Sequence, residues 1–234
     1  MIDELTSMLR ERGAALVGFA DLGALAPEPR HGLPFGVSIA VALTPSIVAA
    51  IPEGPSQDYA DEYDSKNALL NELAEAAAEL LAGCGCRAVA SEATLGPRAD
   101  PARPVPLPHK TVATRAGLGW IGKCALLVTR QFGPAVRLGA VLTDAPLPVG
   151  EPIDESHCGN CTACVDVCPG SAVKGRDWQV GMAREELFDP FACREAQQER
   201  RAAAGITKTG CGLCIALCPF TREYLKRMGT DSSV

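Results

Sequence analysis

The stretch from Cys158 to Pro169 reads CGNCTACVDVCP, which places four cysteines at the spacing C-x2-C-x2-C-x3-C and a proline after the last. A second run, from Cys211 to Pro219, reads CGLCIALCP and repeats the C-x2-C and C-P elements with three cysteines. Cys193 lies between the two runs and brings the thiols of this region to eight. The region therefore has enough thiolates for two metal centres.

This spacing is typical of bacterial ferredoxins with two [4Fe–4S] clusters, in which the fourth cysteine of each run binds the other cluster. Each iron corner of a cubane needs one thiolate, and two-residue spacers let a tight loop reach three corners. The Cys-Pro step ends that loop and directs its thiolate elsewhere. We predict that cluster 1 is bound by Cys158, Cys161, Cys164 and Cys218, and cluster 2 by Cys168, Cys193, Cys211 and Cys214.

Zinc and disulfides are the alternatives for so many cysteines. A zinc site usually takes two C-x2-C pairs a loop apart and has no use for interleaved fourth cysteines. Disulfides are rare in a reducing cytosol, and the N-terminal MIDELTSMLRERG carries acids and lacks the apolar core of a signal peptide. We therefore expect a cytoplasmic protein with iron–sulfur clusters. Cys84, Cys86 and Cys124 are left over, and we predict packing roles for them, with a redox or cobalt contact as the alternative for Cys124.

The composition is that of a soluble globular protein. The chain has 234 residues, a hydrophobic content of 47% and a net charge of −6. The most apolar stretch, Val37 to Ile51, is too short to span a membrane and contains Pro45, so we predict a buried strand followed by a turn. The negative charge argues against a large phosphate-binding surface, and we expect neither nucleic acid nor membrane as a partner.

Alternating helical and strand-like patterns precede the cysteines and predict an α+β fold. The predicted domains are residues 1–150, a ferredoxin-like domain at 151–228 with two clusters, and a tail at 229–234. The predicted helices are 1–13, 58–81 and 110–116, and the predicted strands are 14–20, 36–43, 87–91, 125–129 and 136–143.

A glycine-rich loop lies within the first domain. Residues 117–122, GLGWIG, match the dinucleotide fingerprint G-x-G-x-x-G. That fingerprint requires a strand before the loop and a helix after it. Here a helical pattern precedes the loop and a β-type pattern follows it, so the sequence argues against NAD or FAD.

The segments HKTVATRAGLGWIGKCALLV (109–128) and LGAVLTDAPLP (138–148), followed by CGNCTACVDVCP, resemble the epoxyqueuosine reductase family. The opening ERGAALVGFADL (11–22) and the long helix after residue 58 are similar as well. The family consists of cobalamin-dependent iron–sulfur enzymes, and reductive dehalogenases share its arrangement. The resemblance implies a nitroreductase-like N-terminal domain that holds a corrinoid and an adjoining ferredoxin-like domain.

The resemblance also implies a path for electrons. A low-potential donor, a ferredoxin or flavodoxin, reduces one cluster, the second cluster accepts the electron, and cobalt becomes the Co(I) nucleophile. The glycines of the loop allow backbone to approach a large flat macrocycle. The cofactor-binding residues that we expect on this basis are Gly117, Leu118, Gly119, Trp120, Gly122 and Lys123.

The chain departs from the family at its proton donor. Counting back from Ala116, the position of the family's catalytic Asp carries Arg103, and the following Glu-Arg pair is replaced by His109-Lys110. We predict Arg103, His109 and Lys110 as the candidate catalytic residues. The C-terminal helical repeats that help to hold tRNA in longer family members are not in the sequence, so we expect a corrinoid or small-molecule substrate. Two alternatives stay open: an electron-transfer protein that docks a partner, and a flavin reductase with FMN on the same fold.

Overall fold

The computed structural model describes residues 1–93, 107–206 and 210–230 of the protein, and it divides into two compact units. Unit 1 holds the described residues within 1–42, 66–119 and 137–153, and unit 2 those within 43–65, 120–136 and 154–234. Segments 43–65 and 120–136 thus pack with the cysteine region, which the linear sequence did not predict. The division into functional domains at residue 150 stays a prediction.

The elements agree well with the predicted ones. In chain order they are α1 (Ile2–Glu11), β1 (Leu16–Asp21), β2 (Phe35–Ala42), α2 (Pro45–Ala50), a 3-10 turn (Ile51–Glu53), α3 (Gln57–Gly83), β3 (Ala88–Ser91), α4 (His109–Arg115), β4 (Trp120–Ile121), β5 (Leu127–Val128), β6 (Val136–Thr143), α5 (Ala163–Asp166), α6 (Arg184–Leu187), α7 (Pro190–Ala203), α8 (Leu213–Ala216) and α9 (Pro219–Arg227). Among the described residues, no helix is long and apolar enough to cross a membrane.

Unit 1 is built on a four-stranded sheet in the order β1-β2-β6-β3. The pairs β1–β2 and β3–β6 are antiparallel. Because side chains alternate along a strand, Val37, Ile39 and Val41 of β2 enter the main core with buried residues of α1 and α3. Gly36 lies instead against Val112 of α4. The result is a mixed α/β unit.

Two predicted elements differ from the observed ones. The residues after Pro45 form α2 and not a simple turn, because proline at the first helical position has a backbone angle that already suits a helix. The predicted strand at 125–129 shrinks to Leu127–Val128. Ala125 has a φ of 58° and its N–H donates to the carbonyl of Gly122, so this part of the segment is a tight turn.

Unit 2 packs the cysteine runs onto the two earlier segments. Short helices α5 and α8 occupy equivalent places in the two runs and contain Cys164 and Cys214. Helix α7 is capped by Asp189, whose Oδ1 accepts the N–H groups of the first turn. The core of the unit includes Leu43 and Tyr224, and the Tyr224 hydroxyl donates to the Leu43 carbonyl at 2.9 Å.

Candidate metal centres

The eight predicted ligand cysteines fall into two neighbourhoods in unit 2. Cys218, from the second run, lies within electrostatic reach of Cys158 and Cys161 of the first. Cys214 lies within reach of Cys193 and of three more thiols, Cys168, Cys211 and Cys164. We call Cys158, Cys161, Cys164 and Cys218 group 1, and Cys168, Cys193, Cys211 and Cys214 group 2. The structure therefore brings the last cysteine of each run, Cys168 or Cys218, towards the other run.

Burial and crowding make two of these thiols, Cys214 and Cys218, costly to ionise without a cation. Burial, followed by the charges of Cys193 and Cys211, raises the pKa of Cys214 to about 12. Burial is also the main cause that raises the pKa of Cys218 to about 11. A metal that binds thiolates displaces their protons and relieves this repulsion. The chemistry of both groups thus suits a strongly cationic ligand.

The group 2 thiols surround a space large enough for a cluster. Cys168, Cys193, Cys211 and Cys214 line a cavity of about 310 Å³. All eleven cysteines lie in the described residues, and all are free thiols. Within residues 1–93, 107–206 and 210–230, no three His, Cys, Asp or Glu side chains converge as they would around one ion. Thiols distributed around a cavity fit a polynuclear cluster, with one thiolate for each iron.

N–H groups reach the sulfur atoms of both groups. The Ala172 N–H donates to Cys168 Sγ at 3.2 Å, and Gln197 Nε2 donates to Cys193 Sγ at 3.0 Å. Cys218 accepts the backbone N–H groups of Phe220 and Thr221. Hydrogen bonds of this kind stabilise thiolate charge and orient the ligand.

The glycine-rich loop continues into a hairpin of β4 and β5, whose tip is residues 122–126. Lys123, only 6% exposed, donates from Nζ to the carbonyls of Gly159 (2.6 Å) and Cys161 (3.1 Å). Asp177 is its ion-pair partner at 3.8 Å. The ammonium group of Lys123 thus contacts the first cysteine run inside unit 2. Its expected contact with a corrinoid stays a prediction.

Cys124 is the second functional side chain of the hairpin tip. It is 5% exposed and makes a side-chain hydrogen bond with Cys164 of group 1. It also lines the cavity of group 2. Its hydrogen bond is the main cause that lowers the pKa of Cys164 to about 7. Cys124 therefore lies between the two groups, and its predicted packing role and the alternative of a redox contact both stay predictions.

The glycines of the loop meet protein and leave little room for side chains. Gly117 has a φ of +70°, and a Cβ added there would lie 2.7 Å from the Glu151 carbonyl oxygen. A Cβ on Gly122 would lie 2.7 Å from Val128 Cγ2 and 3.5 Å from the sulfurs of Cys158 and Cys124. Helix α4 precedes the loop, strand β4 lies within it, and strand β5 follows it. The order of elements is the reverse of a dinucleotide fingerprint, as predicted.

Trp120 is buried beside group 1. Its ring stacks on His157, with centroids 4.9 Å apart, and meets Phe220 edge-on at 5.1 Å. His157 precedes Cys158 in the sequence, and Phe220 lies two positions after Cys218. Trp120 Nε1 is fully buried and has no hydrogen-bond partner among the described residues. A bound group with an acceptor atom would satisfy this N–H.

Two of the predicted catalytic residues, His109 and Lys110, lie in unit 1. His109 is the first residue of α4, in unit 1, and its Nε2 lies 2.8 Å from the Glu92 carbonyl oxygen. Since a carbonyl only accepts, Nε2 carries the proton. Lys110 follows in the same turn and is half-buried. Arg103 lies outside the described residues. Leu118 packs against Gly18, and Gly119 is buried, while catalysis by any of these groups stays a prediction.

His109 leads to a prediction about acid stability. Burial is the main cause that lowers the pKa of His109 below its usual 6.5, assisted by Arg137 and opposed by the hydrogen bond to Glu92. The unfolded chain thus binds the proton more tightly than the folded protein does. The stability that neutral His109 contributes is therefore complete above pH 6.5 and is lost as the pH falls through the lowered pKa. We expect His109→Gln, which keeps an N–H donor, to reduce the acid-side loss of unfolding free energy by at most about 1.4 kcal/mol per pH unit. Anaerobic urea unfolding at several pH values checks this, and parallel curves for both proteins would contradict it.

Three comparisons relate this structure to known proteins. The family described as "4Fe-4S double cluster binding domain" matches residues 157–221. The epoxyqueuosine reductase of Pseudomonas aeruginosa is 37% identical over 118 residues, which are 50% of this chain and 32% of that enzyme. The Escherichia coli enzyme is 36% identical over 118 residues, which are 50% of this chain and 31% of the enzyme. The matched region is thus about a third of each relative's length.

Solved structures extend the likeness to nearly the whole chain. Epoxyqueuosine reductase from Streptococcus thermophilus aligns with a TM-score of 0.60 and 19% identity, over 95% of this chain and 66% of that one. The chain resembles the epoxyqueuosine reductases. A catabolic reductive dehalogenase aligns with a TM-score of 0.72 and 18% identity, over 95% of this chain and 32% of that one.

The resemblance predicted from the sequence is therefore confirmed in sequence and in fold. The chain contains a double [4Fe–4S] cluster domain and is related to a group of iron–sulfur reductases. The mixed α/β fold of those proteins is confirmed as well. Corrinoid binding, the substrate and the partners of this chain are proposals.

Sequence reasoning did not predict the contacts that Gln197, Lys123 and Cys124 make with the two cysteine runs. Gln197 lies four residues after Cys193 on α7, a spacing that places two side chains on one helix face and was available as a signal. Lys123 and Cys124 reach residues more than thirty positions away, for example Gly159 from Lys123. Nothing in the local pattern indicates such contacts.

Proposed function

We propose that this protein is an iron–sulfur oxidoreductase that passes low-potential electrons through two [4Fe–4S] clusters to a corrinoid or a corrinoid-bound small substrate. The observation that supports the two-cluster part most directly is the arrangement of the thiols into two groups, with Cys218 beside the first run and Cys168 beside the second. Group 1 is proposed to bind cluster 1, and group 2 to bind cluster 2. A ferredoxin or flavodoxin is the proposed donor.

The corrinoid part rests on the likeness to epoxyqueuosine reductases and reductive dehalogenases. We propose a nitroreductase-like character for unit 1 and assign the corrinoid to the predicted 1–150 domain. When bound, a corrinoid supplies a cobalt centre that, once reduced, acts as a nucleophile. The six expected loop residues keep this assignment as a proposal: Gly117, Leu118, Gly119, Trp120, Gly122 and Lys123. The unpartnered Nε1–H of Trp120 is the structural observation that fits a further bound group.

Epoxyqueuosine in tRNA is not the proposed substrate. One related reductase has been solved with an epoxyqueuosine-modified tRNA stem loop, so that protein binds tRNA. In this chain the position of the family's proton donor carries Arg103, and a guanidinium does not release its proton near neutral pH. Opening an epoxide requires a proton donor at the leaving oxygen. The net charge of −6 also disfavours a phosphate backbone.

A pure electron-transfer function is the second candidate. The observation in its favour is that Gly122 and Lys123, both expected at the corrinoid, make their described contacts with the first cysteine run and its surroundings. A protein of this kind would carry both clusters and bind a partner, but no corrinoid. The comparisons give the FMN alternative no support.

Titration with hydroxocobalamin distinguishes these functions. We expect the anaerobically reconstituted protein to give saturable visible-spectral changes below about 10 µM corrinoid, and to leave an epoxyqueuosine-modified stem loop unreduced. Serum albumin at equal concentration is the control for non-specific binding. Two intact clusters without saturable corrinoid binding would contradict the corrinoid proposal and favour electron transfer. Reduction of the stem loop would contradict the claim about tRNA.

A further inference from the structure

Within residues 1–93, 107–206 and 210–230, the two thiol groups differ in the charged side chains that lie beside them. The group 1 loop is contacted by Lys123, a cation that is 6% exposed and hydrogen bonded to Gly159 and Cys161. The side chain that donates to group 2 is the neutral amide of Gln197. Arg184 acts on Cys193 over a longer range, but it is only half-buried.

The acidic groups near Lys123 do not cancel its charge at the cluster. Asp177 is 48% exposed on its side chain, and Asp166 beside Cys164 is exposed. Water screens charges of this kind much more strongly than a buried one. Lys123 is therefore a buried cation beside group 1 in the part of the chain that the structure describes. Reduction adds one negative charge to a cluster, so this ammonium group favours the reduced form of cluster 1 over the oxidised form.

Cys124 acts in the same direction through a hydrogen bond. A thiolate bound to iron has no proton and only accepts, so in the hydrogen bond between Cys124 and Cys164 the donor is the Cys124 S–H. Hydrogen bonds to the sulfurs of a cluster are among the factors that set its reduction potential. Donation stabilises the more electron-rich, reduced form.

We propose that the hairpin tip, through Lys123 and Cys124, raises the reduction potential of cluster 1 relative to cluster 2, so that a single electron in the protein resides on cluster 1. This inference rests on the proposed function only in requiring that both clusters are present. The two residues are positioning residues that tune the cluster and bind no substrate. The step is the uptake of one electron by one cluster from an external reductant, and no bond forms or breaks.

The test is an anaerobic redox titration followed by electron paramagnetic resonance, on the full chain with both clusters. Lys123→Met keeps the length of the side chain and removes its charge, and Lys123→Arg keeps the charge. We expect Lys123→Met to lower the ratio of reduced to oxidised cluster 1 at a fixed potential about tenfold, which is ~59 mV for one electron. Lys123→Arg should restore most of the ratio. Lys174→Met is the matched control, since Lys174 donates to the Glu185 carbonyl but is exposed.

A second pair of variants reports on the hydrogen bond. Cys124→Ala removes the donor and Cys124→Ser keeps one, so we expect a fall in the cluster 1 ratio with alanine and little change with serine. Gln197→Met removes the donor of group 2, and it should lower the potential of cluster 2 alone. Because the Cys124 variants should shift cluster 1 and Gln197→Met should shift cluster 2, the two sets of variants identify which resonance belongs to which cluster.

The outcomes separate this inference from the proposed function. Fewer than two clusters in the unaltered protein would refute the proposed function. Two clusters whose potentials shift equally, or not at all, in Lys123→Met would refute the inference alone. If Lys123→Met fails to hold cluster 1, the alanine and serine variants of Cys124 decide, and equal cluster 1 potentials in those two would refute the role of the hairpin tip.

Discussion

Replacing Cys193 by serine is expected to remove cluster 2, about half of the protein's iron, and to leave cluster 1 in place. Cys193 lines the cavity of group 2 and accepts a hydrogen bond from Gln197. A serine hydroxyl is a much poorer ligand for iron than a thiolate. Iron and sulfide analysis after anaerobic reconstitution measures the loss, and paramagnetic resonance shows which cluster remains.

The matched variant is Cys218→Ser. Cys218 follows Cys211 and Cys214 in the sequence, yet the structure places it within reach of Cys158 and Cys161. We therefore expect it to remove cluster 1 and spare cluster 2, the opposite of Cys193→Ser. Loss of cluster 2 in both variants would show that Cys218 binds the same cluster as Cys211 and Cys214, and would contradict the crossed assignment. Cys84→Ser, at an exposed thiol outside both groups, should lose no iron.

Gly117→Ala is expected to destabilise the protein strongly, although it adds one methyl group. Two costs combine at this position. The left-handed backbone, with a φ of +70°, costs an alanine roughly 1 kcal/mol. The new Cβ would also lie 2.7 Å from the Glu151 carbonyl oxygen, and a backbone atom cannot turn away as a flexible side chain does. We expect a total loss of about 2–4 kcal/mol of unfolding free energy.

Gly85→Ala separates the two costs. Gly85 has a φ of +83°, but no atom lies within 4 Å of its added Cβ, so only the backbone cost applies. Anaerobic chemical unfolding of both variants should show Gly117→Ala losing at least about 1 kcal/mol more than Gly85→Ala. Equal losses would mean that the segment around Glu151 moves aside. The glycine would then be available for the approach of a cofactor.

Much of the fold was predictable because its signals are local. Leu5 and Leu9 mark the buried face of α1, and strand β6 has the predicted bounds, Val136–Thr143. The cysteine spacing also predicts the crossed grouping of the ligands, since short loops wrap a cluster, and this grouping stays a prediction that the serine variants test. In contrast, the turn at Ala125 interrupts a β-type sequence, because the hairpin needs a positive φ there.

The contacts of Lys123 and Cys124 around the two thiol groups could not be predicted from the sequence. The sequence indicates Lys123 as a candidate corrinoid contact, and only the fold shows that its ammonium group donates to two carbonyls of the first cysteine run. The sequence predicts a packing role for Cys124, with a redox or cobalt contact as the alternative, because no local feature indicates Cys164 as its partner. Both depend on the approach of distant segments, which periodicity and spacing do not encode.

The interleaving of the two units has a consequence for protein engineering. In the sequence, the segment from Cys158 to Pro219 resembles a ferredoxin that is separable from the rest of the chain and can be fused to another protein. Their supporting core, however, includes Leu43, Val48 and Ile51, and the ammonium group at their first loop belongs to Lys123. A fragment that begins at residue 151 would leave all four behind. The cysteine region is therefore not an independent module, and a fusion protein that uses it must also include residues 43–65 and 120–136.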